Sequence, residues 1–502
     1  MRILLYCNTT QESINSRLGT PDYSYWYVLE AFRAVLGELG QVETLDDPAL
    51  ADPIWRRCRD QGEPCVLLSF APPHKTPLGL ECPTIPVFAW EYPNLPHDRD
   101  EPSWHDDRRN DWAYVFSQVA GAIPLSSHSR GAVINALGDG YPATAIPTPS
   151  WDRYAALRER MRDRAVLPAR RELRLRQARV VDSALLGLNP DGMINPDHDD
   201  GTPFAPDDDQ VLPPKPVMAE DRWYDLPRRS LPSTGATVSP PVAEALPDET
   251  APVPSGWALP PPLDIRMPLE GVVYTSVLTP SDGRKNWEDM LTAFAWAFRD
   301  VEDAVLVLKL GGVNLEKRHH EMVALLSKLA PFKCRIVAIH GYIDARNYED
   351  LVAASDFYVN ASRCEGLCMP LLEYLCAGVP AIAPDHTAMA DYVDGRIAFV
   401  LGSSDGEPTV WPHGDYTFNR TTRHRLDWHS LMLALRESYV MARSRPEDYV
   451  AMSNRAIAQM RDYCGDDVVK QRLSGFLRCV LPGSPGHAPL ADADPDPAIA
   501  AS

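Results

Sequence analysis

Apolar residues recur along this chain in two alternating rhythms, short continuous runs and stripes at intervals of three or four, and that alternation predicts parallel βαβ units. MRILLYC reads as a buried strand, and the segment after it places Tyr25, Val28, Leu29, Phe32, Val35, Leu36 and Leu39 along one helical face. PCVLLSFA, TIPVFAW and AYVFSQVAGAIPLS continue as strand or strand–helix segments, so residues 1–150 read as one doubly wound α/β domain. The same rhythm returns downstream. GVVYTSVL is a strand, SDGRKN a turn and WEDMLTAFAWAF an amphipathic helix with Met290, Ala293, Phe294 and Ala297 on one face. AVLVLKL, a helix around His319 to Leu329, RIVAIHGYI, YEDLVAAS and DFYVNAS extend it, and two further amphipathic helices and a terminal helix through Leu473 and Phe476 close the region. Residues 265–482 are thus a second α/β domain, followed by a tail at 483–502 that reads as disordered.

Between the two domains the pattern fails. RYAALRERMRDRAVLPARRELRLRQAR predicts one or two basic helices, and the stretch after it, with DHDDGTPFAPDDDQ and PVPSGWALPPP, is dense in proline and acid. Few large apolar residues there offset chain entropy, so residues 151–264 read as an insertion that is partly disordered or wrapped along the surface. Three readings stay open for it: a solvated linker, an acidic segment folded back on the arginines, or a basic segment that touches anionic lipid or a lipid-diphosphate acceptor; a partner protein at the insertion, on its acidic part, goes with a scaffold role.

The candidate chemistry concentrates in CEGLCMPLLEYLCAGVPAIAP, Cys364 to Pro384. A helix beginning near Pro370, where a missing N–H and a fixed φ are favourable, puts Glu373 in its first turn and Glu365 in the loop before it, both facing one crevice. Between them the N–H groups of Leu367, Cys368 and Met369 lead into the positive end of a helix dipole, a site suited to a diphosphate. Two carboxylates flanking a phosphate site fit a ligand with phosphates and several hydroxyls, such as a nucleotide sugar. Upstream, Arg284 and Lys285 fall at the carboxyl end of a strand, where ligands bind in open α/β sheets. Such cations stabilise charge growing on a departing diphosphate, and losing one contact of this kind typically costs about 3 to 4 kcal/mol of transition-state stabilisation.

With these residues the chain resembles the retaining glycosyltransferases of the GT-B fold, the E-x7-E group (family 4, group 1 type). The likeness covers Glu365, Gly366, Pro370, Glu373, Ala377, Gly378, Val379 and Pro380. It implies two Rossmann-like domains facing across a cleft, the N-terminal one for the acceptor and the C-terminal one for the donor. It assigns Glu365 to the donor sugar and Glu373 to the ribose hydroxyls, and implies donor contacts for Gly366, Leu367, Cys368, Met369 and Pro370. Cys368 stands where many relatives have glycine. Lys285 with Asn286 is similar to the family's Lys-Asn element, which binds the diphosphate; the usual arginine precedes that lysine by several residues, near Pro280 here, and Arg284 is the candidate substitute. The resemblance also implies that the turn from His340 to Ile343, with Tyr342, packs on the nucleotide base, and that the loop Asn15 to Tyr23, with Gly19, approaches the donor phosphates. His340 itself reads as structural. In the N-terminal half, WEYPNLP and the SSHSR turn resemble one bacterial polysaccharide-synthesis branch, whereas the Pro-Asn-Gly-Val-Asp that ends this domain in many relatives is replaced by PTPSWD.

Composition narrows the field. The chain has 502 residues, more than the roughly 350 to 400 of a minimal domain pair, which leaves room for the insertion. A formal charge of −20 argues against nucleic acid as a partner. No leader is visible and no apolar run approaches about 18 residues, so the expected location is the cytoplasm, at most peripheral to the inner membrane face. The ten cysteines show no paired zinc spacing and read as reduced core thiols. Asp492 and Asp494 have the spacing of a cation-binding pair but lie in the tail, and Asp207 to Asp209 is no better placed, so neither metal nor cofactor is expected. The reading is a metal-independent retaining hexosyl- or deoxyhexosyltransferase that moves a sugar from a nucleotide diphosphate to a saccharide or lipid-linked saccharide hydroxyl, in bacterial surface polysaccharide or lipopolysaccharide synthesis. Its alternatives are another GT-B reaction, a nucleotide-sugar epimerase or phosphorylase, and a non-catalytic scaffold of the same fold.

Overall fold

The computed structural model describes residues 1–9, 24–100, 104–162, 171–188, 259–312, 315–341, 343–410 and 420–481. Gly19, Tyr342, the acidic part of the insertion and the C-terminal tail lie outside them.

The N-terminal domain runs β1 (Arg2–Tyr6), α1 (Ser24–Leu39), β2 (Gln41–Thr44), α2 (Ala51–Asp60), β3 (Cys65–Phe70), β4 (Thr84–Phe88), α3 (Trp112–Ser117), β5 (Ile123–Pro124) and α4 (Ser127–Leu137). Its sheet has the order β2-β1-β3-β4-β5, and every pair is parallel. β3 is buried along its whole length, as expected of a strand covered on both faces. The stripe expected on α1 is the face it buries, through Tyr25, Val28, Leu29, Phe32, Val35 and Leu36.

Helix α5 (Ala155–Met161) follows, but the described end of the arginine-rich stretch, from Arg171, is not helical. Arg171–Asp182 is a strand, β6, paired antiparallel with β7 (Leu263–Leu269). Its residues explain why. Leu173 and Leu175 point inward while Glu172 and Arg174 are exposed, a period of two that suits a strand and no helix. A bulge at Gln177, with φ 49°, resets the phase so that Ala178 and Val180 join Leu173 and Leu175 on the core face. Arg171 anchors the strand through a two-pronged pair to Asp356 at 2.7 and 2.9 Å. The second domain therefore draws on chain from both sides of the insertion, beginning at 171 and not at 265.

Its remaining elements are β8 (Val272–Leu278), α6 (Trp287–Ala297), β9 (Ala304–Leu310), α7 (Leu315–Leu329), β10 (Arg335–His340), α8 (Ala345–Ala354), β11 (Phe357–Val359), α9 (Met369–Cys376), β12 (Ala381–Ala383), β13 (Ala398–Val400), the hairpin β14 (Ser403–Thr409) and β15 (Thr421–Leu426), then α10 (Trp428–Ser444), α11 (Pro446–Cys464) and α12 (Asp466–Val480). The sheet order is β13-β12-β11-β8-β9-β10-β6-β7. From β8 the chain winds outward through β9 and β10, then returns to the other side of β8 for β11 to β13. The crevice between β8 and β11 is thus the point where strand order reverses. Two doubly wound domains are present.

The final helix packs on the first domain. Lys470 of α12 pairs with Glu38 of α1 at 2.7 Å, and the Asp466 N–H donates to Asp152 at 2.8 Å. One buried core runs through both domains, joining Trp90 and Trp112 to Cys364, Leu367 and Leu371. Among the described residues no helix is long and apolar enough to cross a membrane.

Candidate functional site

Two loops meet at the switch point, one after β8 and one after β11. The first turns through a short 3-10 segment, Gly283–Lys285, whose start is capped by the Asp282 side chain. Asn286 closes it in the left-handed region at φ 53°, a conformation asparagine tolerates better than most residues, and α6 begins at Trp287. Arg284 and Lys285 are thereby presented side by side toward the second loop, Asn360 to Cys368.

Glu365 lies at the centre of that second loop and is only 3 % exposed. Lys285 Nζ donates to its Oε1 at 2.6 Å and Arg284 Nη1 to its Oε2 at 2.7 Å. The Ser362 hydroxyl donates to Oε1 at 2.6 Å. Burial by itself would raise the pKa of this carboxyl. The charges of Lys285 and Arg284 and the hydrogen bonds from Lys285 and Ser362 outweigh it and hold the group down to about 2. The backbone is fixed as well, because Glu365 N–H donates to Thr387 Oγ1 at 3.0 Å and its carbonyl accepts from Ala388 N–H at 3.1 Å.

Arg284 has further partners. Its Nε meets Asp282 at 2.9 Å, and its Nη2 meets Glu91 of the N-terminal domain at 2.9 Å. Burial pushes the Glu91 carboxyl up, against the opposing charge of Arg284. Three carboxylates, Glu91, Asp282 and Glu365, thus share two cations, Arg284 and Lys285. The structure brings together the three residues expected to be catalytic, and adds Glu91, Asp282, Ser362 and Thr387 to them. Local spacing gives no signal for these four; the WEYPNLP segment marked the region of Glu91 but not its role.

Glu373 has different company. It is the fifth residue of α9, beyond the first turn where the sequence placed it, because the helix starts at Met369 with Cys368 as its cap. Cys368 is left-handed, φ 61° and ψ 64°, a region that costs a residue with a Cβ about 1 kcal/mol or more and explains why glycine suits this place. Glu373 accepts from the Tyr348 hydroxyl at 2.7 Å, and Arg153 stands 3.9 Å away. Burial raises its pKa, with Arg153 and Tyr348 opposing.

The crevice is tight at Gly366. A Cβ there would come within 2.7 Å of Trp90 N and 3.0 Å of Ala89 Cβ, so the N-terminal domain lies directly on this loop and only glycine fits. A cavity of about 10 Å³, room for roughly one water, is lined by Lys285, Asn360, Ser362, Glu365 and Cys368 but not by Glu373. A wider groove of about 990 Å³ is lined by Arg363, Asp289, Glu407, Arg425 and Asp427; none of the described residues expected to bind the donor lines it. His340, at the end of the interior strand β10, is buried against His319, and burial lowers its pKa to about 4, in keeping with a packing role.

No curated protein sequence matches the chain. Among solved structures, the chain is similar to sucrose-phosphate synthase from Thermosynechococcus elongatus at 10% identity, over 95% of this chain and 98% of that one, with a TM-score of 0.49. It is also similar to HepE from Anabaena in complex with UDP and glucose, at 10% identity over 94% and 98% with a TM-score of 0.45, and to a glycosyltransferase from Rickettsia africae ESF-5, at 9% identity over 95% and 97% with a TM-score of 0.43. Residues 271–409, the stretch that holds Arg284, Lys285, Glu365 and Glu373, match the family described as glycosyl transferases group 1.

Proposed function

We propose that this protein is a retaining glycosyltransferase that moves a hexosyl or deoxyhexosyl group from a nucleotide diphosphate to an acceptor hydroxyl without a metal. The observation that carries the reading is the cluster of Lys285, Arg284 and Glu365 at the β8–β11 switch point, inside the segment that matches the group 1 glycosyl transferases. Glu365 is kept ionised where a sugar's hydroxyls would need an acceptor, and two cations stand where a leaving diphosphate would need charge. In this reading the diphosphate departs toward Lys285 and Arg284 and takes the acceptor's proton on the face it leaves. The acceptor oxygen then bonds the anomeric carbon from that same face, so configuration is retained. Glu373 binds the ribose and Glu365 orients the sugar. The N–H groups of Leu367, Cys368 and Met369 lead the β-phosphate into α9, whose first positions are Met369 and Pro370.

A nucleotide sugar is far larger than the cavity beside Glu365, since ligand pockets span about 300 to 1,000 Å³. Binding therefore requires the seam at Gly366 and Trp90 to part, and the diphosphate to replace Glu91 on Arg284. Such opening and closure would admit the donor, then exclude water around the reacting atoms. We assign the activity to bacterial surface polysaccharide or lipopolysaccharide assembly, with a saccharide or lipid-linked saccharide as acceptor and the protein at the inner membrane face. The resemblance of WEYPNLP and SSHSR supports that setting.

One observation favours a second reading, a scaffold of the same fold: both cations are already neutralised by carboxylates and the seam is closed. A thermal-shift panel of UDP, GDP, dTDP and CMP nucleotides and their sugars, on wild type and Glu373→Ala, separates the two. Ligand at a hundred times its Kd adds about 2.7 kcal/mol of stability. A selective shift that the substitution abolishes supports the transferase; no shift with any nucleotide leaves the scaffold.

A further inference from the structure

Three histidines that the proposed chemistry does not use converge beside Glu365. His386, in the loop after β12, is 6 % exposed, and its ring stacks on that of His424 from β15 at 4.0 Å and 12°. His128, in the first turn of α4, reaches toward them from the N-terminal domain, with its Nε2 3.0 Å from the Glu91 carbonyl. Only His128 fell in a segment the sequence singled out, and there for its turn.

The loop that carries His386 is tied to the Glu365 backbone at two points. Thr387 Oγ1 accepts from Glu365 N–H, and Ala388 N–H donates to the Glu365 carbonyl. Thr387 holds this position at φ 51°, a strained conformation for a β-branched residue and one that concentrates at functional sites. Thr387 Oγ1 also stands 3.3 Å from His386 Nδ1. The other ring nitrogen, His386 Nε2, is buried without a hydrogen-bond partner, as is His424 Nδ1. Buried polar atoms of this kind are rare and call for a partner that the folded chain does not supply.

The chemistry of the wall is set by charge. Burial lowers the pKa of all three imidazoles, His386 to about 3; repulsion from neighbouring rings adds to it at His386 and His128, whereas Asp405 and Asp385 oppose it at His424. Each ring is therefore neutral near pH 7, with one N–H and one lone pair; His128 gives its N–H to the Glu91 carbonyl and so offers only the lone pair. The charged groups around them are Glu365, Asp391, Asp385, Asp405 and, through its carbonyl, Glu91; Arg284 and Lys285 are engaged by carboxylates. Neutral imidazoles beside acids suit hydroxyl groups and disfavour a carboxylate or phosphate. Their stacked geometry turns ring faces toward each other, so the ring nitrogens do not converge on a metal.

Resting on the transferase reading, we infer that His386, His424 and His128 form the wall that positions the hydroxyls of the transferred sugar, and that this sugar is an uncharged hexose or deoxyhexose and not a uronate. β15 contributes His424, so the hairpin is part of the specificity surface. It is tied to the N-terminal domain through Asn94, which donates to the Arg420 carbonyl and accepts from Thr421.

The test compares a nucleotide sugar with its bare diphosphate on the full chain. Isothermal calorimetry with UDP, GDP, UDP-glucose, UDP-N-acetylglucosamine, UDP-glucuronate and GDP-mannose defines the donor. His386→Ala is expected to weaken that nucleotide sugar tenfold or more while the diphosphate stays within twofold, and His386→Asn to recover to within threefold of wild type. His424→Phe, which keeps the stacked face and removes both nitrogens, gives the same split should His386→Ala fail to fold. Equal changes for both ligands, no change for either, or UDP-glucuronate bound as well as UDP-glucose overturns the inference and leaves the transferase reading standing. A wild type that binds no nucleotide overturns both.

Discussion

Glu365 and Glu373 are the same residue, eight positions apart, both nearly out of water, yet their surroundings treat charge in opposite ways. Glu365 is met by a lysine, an arginine and a serine within 2.7 Å, and is held ionised far into acid. Glu373 receives one tyrosine hydroxyl and a distant arginine, and burial pushes its pKa upward. Burial is common to both, so the partner decides. The first carboxylate is a fixed charge beside the cations; the second is a hydrogen-bonding group at lower electrostatic cost, as suits an acceptor for neutral ribose hydroxyls.

Removing a cation should break the contrast most severely. Lys285→Met leaves Glu365 and its neighbours with an excess of buried negative charge, a change of a kind that typically costs about 3 to 5 kcal/mol, and it should also abolish transfer. Urea unfolding together with donor turnover measures both, and an unchanged midpoint would show that Arg284 alone supports Glu365.

Acid should expose the next difference. The folded pKa of Glu365 lies below its ordinary value of 4.5, at about 2, so its stabilisation is present above pH 4.5 and is lost as pH falls through 2. Glu365→Gln should remove that dependence along with about 3 kcal/mol of stability at pH 7. Glu373 has the opposite sign. Its raised pKa contributes stability that is present below the ordinary carboxylate value and is lost as pH rises through the folded one. Glu373→Gln should therefore change stability at pH 7 by no more than about 1 kcal/mol and delete the gain on mild acidification. Tm against pH for the two variants decides; parallel curves would erase the comparison.

Smaller effects sharpen it. Tyr348→Phe removes the hydroxyl that Glu373 accepts from and should cost about 0.5 to 1.5 kcal/mol, the range for a single hydrogen bond. Cys368→Gly relieves the left-handed backbone but gives up buried sulfur and its contact with Asn360 Nδ2, so the net shift should stay within about 1 kcal/mol. A larger loss would mean that the thiol itself holds the loop.

Much of the fold was legible because it rests on local periodicity. The face of α1, the run of β3 and the alternation from β8 to β11 follow from the order of apolar residues alone. The arginine-rich stretch was not, since net charge masked the alternation of Leu173 and Leu175 that makes its end a strand between β10 and β7. At the site, Lys285, Arg284 and Glu365 could be named because each stands in a motif. Glu91, Thr387, His386 and His424 could not, because what gathers them is packing between elements far apart in the chain, and Ser362, only three residues from Glu365, stands in no motif.

The sequence by itself determined the two-domain α/β pattern and the position of the glutamate pair, because each depends on residues that are neighbours in the chain; the need for glycine at 366 comes from Ala89 and Trp90 packing on it from the other domain. The tertiary structure alone decided which glutamate is held below the ordinary carboxylate range, which cations face it, and that His386, His424 and His128 gather beside it. Those outcomes depend on burial and on charges brought together from distant segments, and free energies of that kind exist only after the chain has folded.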